Sequence, residues 1–154
     1  MDAIIEESKK VFCKVLNIEV DVKTVFESLQ PGDFGGLCGV SQSSIYYVSV
    51  KYLDVKDVKP IQVHPYFSGW GHACVVIKYL DKEYIADLTI TQFMKKWDEV
   101  GIEFVKKGYI ELTDSNLEWL FNLLEKTEKI EDKRRVFNDI PRMELDHDED
   151  EIMF

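Results

Sequence analysis

Two runs of strand-forming residues, separated by a short polar break, restrict this chain most. Residues 72–79 carry Val75, Val76, Ile77 and Tyr79, and residues 83–88 carry Tyr84 and Ile85. β-branched and aromatic side chains favour extended backbone. The polar pair Asp81 and Lys82 between them predicts a β-hairpin. A hairpin exposes its edges and at least one apolar face, so the flanking segments must cover it.

Those segments are mostly helical by pattern. Ile4, Ile5, Val11, Phe12, Val15 and Leu16 recur at helical spacing, with Asp2 expected as the cap. Asp21 is expected to cap a shorter helix with Val22, Val25, Phe26 and Leu29 inward. Residues 39–53 mix β-branched and aromatic residues without strict alternation, and a helix starting near Cys38 is the expectation. Residues 60–64 suit a strand and 65–71 a turn-rich loop. Thr89 or Thr91 is expected to cap a helix running through Trp97. Residues 102–105 and 109–112 suggest a second strand pair turning at Lys106, Lys107 and Gly108. Thr113 is expected to cap a helix with Leu117, Leu120, Phe121 and Leu124 inward, and residues 130–137 suggest a last short helix ended by Pro141. Helices, a mostly antiparallel sheet, then helices again make an α+β layout. The chain of 154 residues fits one domain over 1–140 followed by an acidic tail over 141–154.

The net charge of −10 repels phosphate backbones, so nucleic acid is not an expected partner. A basic protein partner suits the acidic surface better. The tail from 144 to 151 has the composition of a solvated charge block, and it lacks the glycine of an EF-hand loop. No apolar run reaches the roughly 20 residues that span a bilayer. The acidic start, with Asp2, Glu6 and Glu7, lacks the basic flank of a secretory signal. The expectation is a chain made in a cytosol, with later secretion or delivery into a target cell left open.

Cys13, Cys38 and Cys74 are too few, and odd in number, for a disulfide framework. No spacing among them suggests zinc, and neither metal nor cofactor is expected. Cys13 lies on an amphipathic helix and Cys74 between strand formers, so both suit the core. Cys38 differs. It follows a loop, residues 30–37, that holds Pro31, Gly32, Gly35 and Gly36. Gly35 and Gly36 let substrate or backbone approach closely. A helix start lowers a thiol pKa, and its N–H groups can donate to a developing oxyanion.

A thiol also needs a base. His72 follows Gly69, Trp70 and Gly71 at the start of the hairpin, and Asp87 stands 15 residues later near its other end. The hairpin returns one toward the other, so Asp87 can orient the imidazole of His72. His64 is a second candidate base, without an acid at hairpin spacing, and His147 lies in the acidic tail. Trp70 can shield the thiolate–imidazolium pair or contact substrate, or fill the core.

The stretch GHACVVIKYLDKEYIADLT, residues 71–89, resembles the His-to-Asp hairpin of transglutaminase-like and papain-like cysteine enzymes. Its continuation through Gln92 and Phe93 resembles papain-fold toxins and bacterial glutamine-deamidase effectors. The resemblance covers roughly residues 30–93; Leu88 stands where the family usually has proline, and Gly39 and Ala73 where it often has aromatics. It implies a papain-like or transglutaminase-like core, with N-terminal helices and the cysteine's helix start packed on the sheet. It also implies Cys38, His72 and Asp87 as nucleophile, base and orienting acid. Gln30 would be an oxyanion donor, beside Gly36 and Trp70 as substrate-binding positions, while Gln92 would tie the strand end to the next helix.

The activity so implied is thiol-dependent hydrolysis or acyl transfer at a protein amide. A glutamine deamidase or transglutaminase-like effector or toxin is the first expectation. A papain-like protease shares the chemistry. An acidic immunity or inhibitor protein is the alternative from another class, and under it the three residues would scatter in space.

Overall fold

The computed structural model describes residues 1–63 and 71–127. The expected helix over 130–137, the tail over 141–154, and His64, Trp70 and His147 lie outside the described residues.

Three helices precede the sheet. α1 spans Asp2–Val15, α2 spans Val22–Glu27 and α3 spans Cys38–Tyr52. Of the apolar stripe expected of it, α1 buries Ile4, Ile5 and Phe12, with Cys13 beside them, while Val11, Val15 and Leu16 are partly buried. Asp2 is not its cap. It is the first helical residue, and its carboxylate accepts a hydrogen bond from the Tyr109 hydroxyl at 2.7 Å. Asp21 does cap α2, accepting from the Thr24 N–H at 3.1 Å. α3 has no single apolar face because it is covered nearly all round. Ser41, Ser43, Ser44 and Ser49 are buried in it alongside Ile45 and Val48. These small side chains let α1 and the sheet pack close to it.

A four-stranded antiparallel sheet follows in the order β1 (Val58–Val63), β2 (His72–Tyr79), β3 (Lys82–Ala86) and β4 (Tyr109–Glu111). The predicted hairpin is β2–β3. Its turn is Leu80–Asp81, one residue earlier than the pattern suggests, because Tyr79 pairs with Lys82. Both turn residues have positive φ, 52° and 68°. That matches the right-handed twist of the strands across a two-residue connection.

Both sheet faces are covered, which explains the continuous apolar run in β2. Val58, Val75, Ile77 and Ala86 face Ile5, Phe12 and Ile45. Ile61, Val63, Cys74, Ile85 and Ile110 face Phe104, Leu120 and Leu124. Successive residues of a strand point to opposite faces, so neighbours in β2 supply both cores.

The second core comes from helices, and here two expectations are corrected. Residues 102–105 are not a strand but part of α4 (Glu99–Lys107). Asp98 caps it, accepting from the Gly101 N–H at 2.6 Å, and Gly108 ends it in the left-handed region at φ 82°. The Lys106-Lys107-Gly108 segment is therefore a helix end and not a hairpin turn. The capping signals outweigh the β-branched content there. Nor is there an α-helix from Thr89 to Trp97. A 3₁₀ turn, Ile90–Phe93, ends at Met94 in extended backbone, and the Thr89 side chain makes no cap. α5 spans Asp114–Thr127, with the Asn116 N–H bonded to the Thr113 hydroxyl as expected of that cap.

Candidate active site

β2 outruns its partner. Pairing with β3 stops at Val75 and Ala86, while β2 continues to His72 against β1. Extended by one residue, the register would set Asp87 opposite Cys74, with His72 on the diagonal, a separation side chains can bridge. The chain instead leaves the sheet at Asp87, and its carboxylate reaches His72 Nε2.

This pair is sealed. His72 and Asp87 are each 1% exposed. The Phe93 ring stands at 86° to the imidazole, with centroids 4.6 Å apart. The second carboxylate oxygen of Asp87 accepts from the Thr89 N–H at 2.8 Å and the Thr89 hydroxyl at 3.0 Å. The Asp87 N–H donates to the Gly108 carbonyl at 2.9 Å. Asp87 is thus fixed from four directions, and so is the imidazole plane.

With Nε2 paired to Asp87, Nδ1 is the nitrogen left for a thiol. It is buried and has no completed hydrogen bond among the described residues. The Cys38 side chain lies close enough to His72 to couple with it, short of a completed hydrogen bond, and the Ala73 N–H supports the sulfur. Burial would raise the Cys38 thiol, but the proximity and charge of His72 outweigh it, and the result is a lowered pKa. Burial would likewise push His72 down. The charge and hydrogen bond of Asp87, then the contact with Cys38, raise it instead to about 9. Both shifts favour a thiolate–imidazolium pair.

Cys38 is the first residue of α3, and no side chain caps that helix. Its N–H makes no hydrogen bond among the described residues. The helix start therefore points unpaired donors and the positive end of the helix dipole at the nucleophile. A Cβ at Gly35, Gly36 or Gly39 would meet nothing within 4 Å, so bare backbone flanks the half-buried thiol. Gly36 has φ 80°, a conformation that favours glycine.

Other expected positions fare differently. Gln30 has an exposed side chain without a hydrogen bond among the described residues, although its main chain is held by Asp33 and Thr91. The Gly36 N–H donates to Gln92 Oε1 at 3.2 Å, so it is not a free oxyanion donor. Trp70 lies outside the described residues. Cys74 is buried in the core at 1% exposure, where burial raises its thiol well above the ordinary value. Cys13 is 2% exposed, and burial raises it too.

Local pattern marks Thr89 only as a candidate helix cap and assigns Ser41 and Phe93 no role at the site. For Thr89 the signal was present, because a threonine two residues after an aspartate readily bonds back to its carboxylate. Ser41 and Phe93 carried no such signal. Among the described residues there is no group of three side chains suited to hold a metal, and no helix is long and apolar enough to cross a membrane. A groove of about 640 Å³ between α1, α2 and α4 is lined in part by Phe26, Trp97, Ile102 and Val105, and by none of Cys38, His72 or Asp87.

No family model, no curated protein and no solved structure matches the chain.

Proposed function

We propose that this chain is a thiol-dependent amidohydrolase or acyltransferase, with Cys38 as nucleophile, His72 as acid and base, and Asp87 as the group that orients His72. One observation carries this proposal: a single buried imidazole is bonded to Asp87 through Nε2 and couples electrostatically to the Cys38 thiol. The three residues converge, whereas the alternative of a binding protein had them scattered.

The chemistry follows from the arrangement. The Cys38 thiolate attacks an amide carbonyl carbon, and the C–S bond forms as negative charge moves to oxygen. The open N–H groups at the start of α3 stabilise that charge. The C–N bond then breaks, and the imidazolium of His72 gives its proton to the departing nitrogen. A thioester remains on Cys38. Water, deprotonated by His72, attacks it to yield a carboxylate and return the thiol. A lysine amine in place of water would give a cross-link. The resemblance to glutamine-deamidase effectors points to a glutamine side chain of a protein as the amide, and the bare glycine backbone beside Cys38 gives an extended segment room to approach.

Mass spectrometry of protein substrates after incubation tests this. A gain of about one mass unit at glutamine, abolished by Cys38→Ala, is the expected result for an amide turned into an acid. Cross-linked or cut chains that depend on Cys38 would keep the mechanism and change the acceptor or the bond. Unchanged substrates, together with a Cys38 no more reactive than an ordinary thiol, would overturn the proposal.

A further inference from the structure

The glycine loop before Cys38 and the acid behind His72 are far apart in sequence, yet one side chain joins them. Gln92 Oε1 accepts the Gly36 N–H at 3.2 Å. Its Nε2 donates to the Thr89 carbonyl at 3.1 Å and to the Thr89 hydroxyl oxygen at 3.0 Å. That hydroxyl in turn donates to Asp87. Asp87 holds His72, His72 meets Cys38, and Cys38 returns to Gly36 through Leu37. The circuit is closed. The same segment grips the loop twice more: the Gly32 N–H donates to the Thr91 carbonyl at 2.8 Å, and the Thr91 hydroxyl donates to the Gln30 carbonyl at 3.1 Å.

We infer that Gln92 is a positioning residue that couples the glycine loop to the Asp87–His72 pair, so that the loop beside the thiol and the orientation of the base are set together. The inference rests on the Cys38–His72–Asp87 proposal. Its physical basis is the geometry of one amide. The acceptor end fixes a loop whose glycines otherwise leave it many conformations. The donor end takes a lone pair of the Thr89 hydroxyl and so aims that hydroxyl's proton at Asp87. Linked hydrogen bonds of this kind polarise and orient one another. Among the described residues the Gln92 side chain bonds to Gly36 and Thr89 and to neither the thiol nor the imidazole, so its effect is transmitted through those two residues. A side chain that only tied a strand end to the next turn would need the donor end alone.

The experiment uses the full chain and follows iodoacetamide alkylation of Cys38 from about pH 5 to about pH 10. Gln92→Met keeps the volume and removes both ends of the bridge. The expected result is a rate at neutral pH lower by about tenfold, the scale of one or two lost hydrogen bonds, and an acid limb moved to higher pH. Thr89→Val breaks the same circuit from the other side. The double variant should lose little more than either single one, since each already opens the circuit. Should the methionine variant not fold, Gln92→Glu keeps the acceptor for Gly36 while offering nothing to the Thr89 carbonyl, and its rate should also fall. A wild-type profile in Gln92→Met, or fully additive losses in the double variant, would overturn the coupling. His72→Ala separates the two levels. If it leaves the Cys38 profile unchanged, the triad itself fails. If it changes the profile and the Gln92 variants do not, only the coupling fails.

Discussion

The Ser41 hydroxyl accepts a hydrogen bond from the Leu88 N–H at 2.9 Å, which fixes the first turn of α3 against the residue that follows Asp87. Ser41 lies three residues beyond Cys38 and is fully buried. One bond therefore sets the distance between the helix that carries the nucleophile and the strand end that carries the acid. Ser41→Ala leaves the Leu88 N–H buried without that partner, at a cost of about 1–3 kcal/mol. The expected outcome is a lower unfolding midpoint in urea with an unchanged slope. A slower Cys38 reaction should accompany it, because α3 is released at the site. Equal midpoints for the variant and the parent would remove this bond from the account.

The pH dependence of Cys38 reactivity follows from the two shifts and their signs. The thiol is lowered, so its thiolate persists below the ordinary thiol range and is lost as pH falls through the lowered value. His72 is raised to about 9, so its imidazolium persists above the ordinary histidine value of about 6.5 and is lost as pH rises through about 9. Between those limits the ion pair prevails, and alkylation should be nearly independent of pH. Substrate turnover should fall at the upper limit, where no imidazolium is left to protonate the leaving nitrogen. The stabilisation that His72 gains from Asp87 is likewise full below about 6.5 and fades as pH rises toward about 9. In His72→Ala the strongest lowering influences on the thiol are gone, leaving burial and the Asp87 charge against the Ala73 N–H, so alkylation should show a single step moved up toward the free-thiol value of about 8.5. A variant profile that matched the parent would contradict this assignment.

Asp87→Asn tests the carboxylate with little change of shape. An amide that donates to Nε2 leaves the proton on Nδ1, which faces the thiol with the wrong tautomer for a base. It also removes the strongest influence raising His72. Turnover should fall on the order of a thousandfold or more, as for other triad acids. Proton NMR of the imidazole should show the His72 titration moving down from about 9. Retention of the upper limb near its original position would show that Asp87 does not set it.

Much of this site was legible in the sequence because strands and hairpins constrain at short range. Strand propensity marked β2 and β3, and a hairpin necessarily returns Asp87 toward His72. The glycine loop before Cys38 and the lack of strict alternation after it signalled a helix start. Contacts that cross between elements were not legible. Nothing local says that the Ser41 hydroxyl meets Leu88, or that Gln92 reaches back to Gly36. The misread strand over 102–105 shows how this limit works. Ile102 and Val105 have strand propensity, and only Asp98 before them and Gly108 after them reveal the helix. The short 3₁₀ turn after Thr89 has the same cause, since the Thr89 hydroxyl is engaged with Asp87 and Gln92 and caps nothing.

Two glycines in this fold should respond in opposite ways to the same substitution. Gly108 ends α4 at φ 82°, and a Cβ there would lie 2.6 Å from Ile5 Cγ2. Its carbonyl also accepts the Asp87 N–H at 2.9 Å, so strain at this point reaches the acid. Gly108→Ala combines a left-handed alanine with overpacking, about 2–4 kcal/mol together. For a chain of 154 residues that lowers the melting temperature by roughly 6–12 °C. Gly39 is helical and exposed, and a Cβ there meets nothing within 4 Å. Gly39→Ala should therefore stabilise the chain by about 0.5–1 kcal/mol, since alanine loses less backbone entropy in a helix. It should nonetheless slow turnover of a protein substrate, because the new methyl group stands beside Cys38 on the bare backbone that the substrate approaches. Calorimetry and turnover on the same two variants check both effects. A Gly39→Ala protein that gains stability and keeps full activity would show that substrate does not pass over this face.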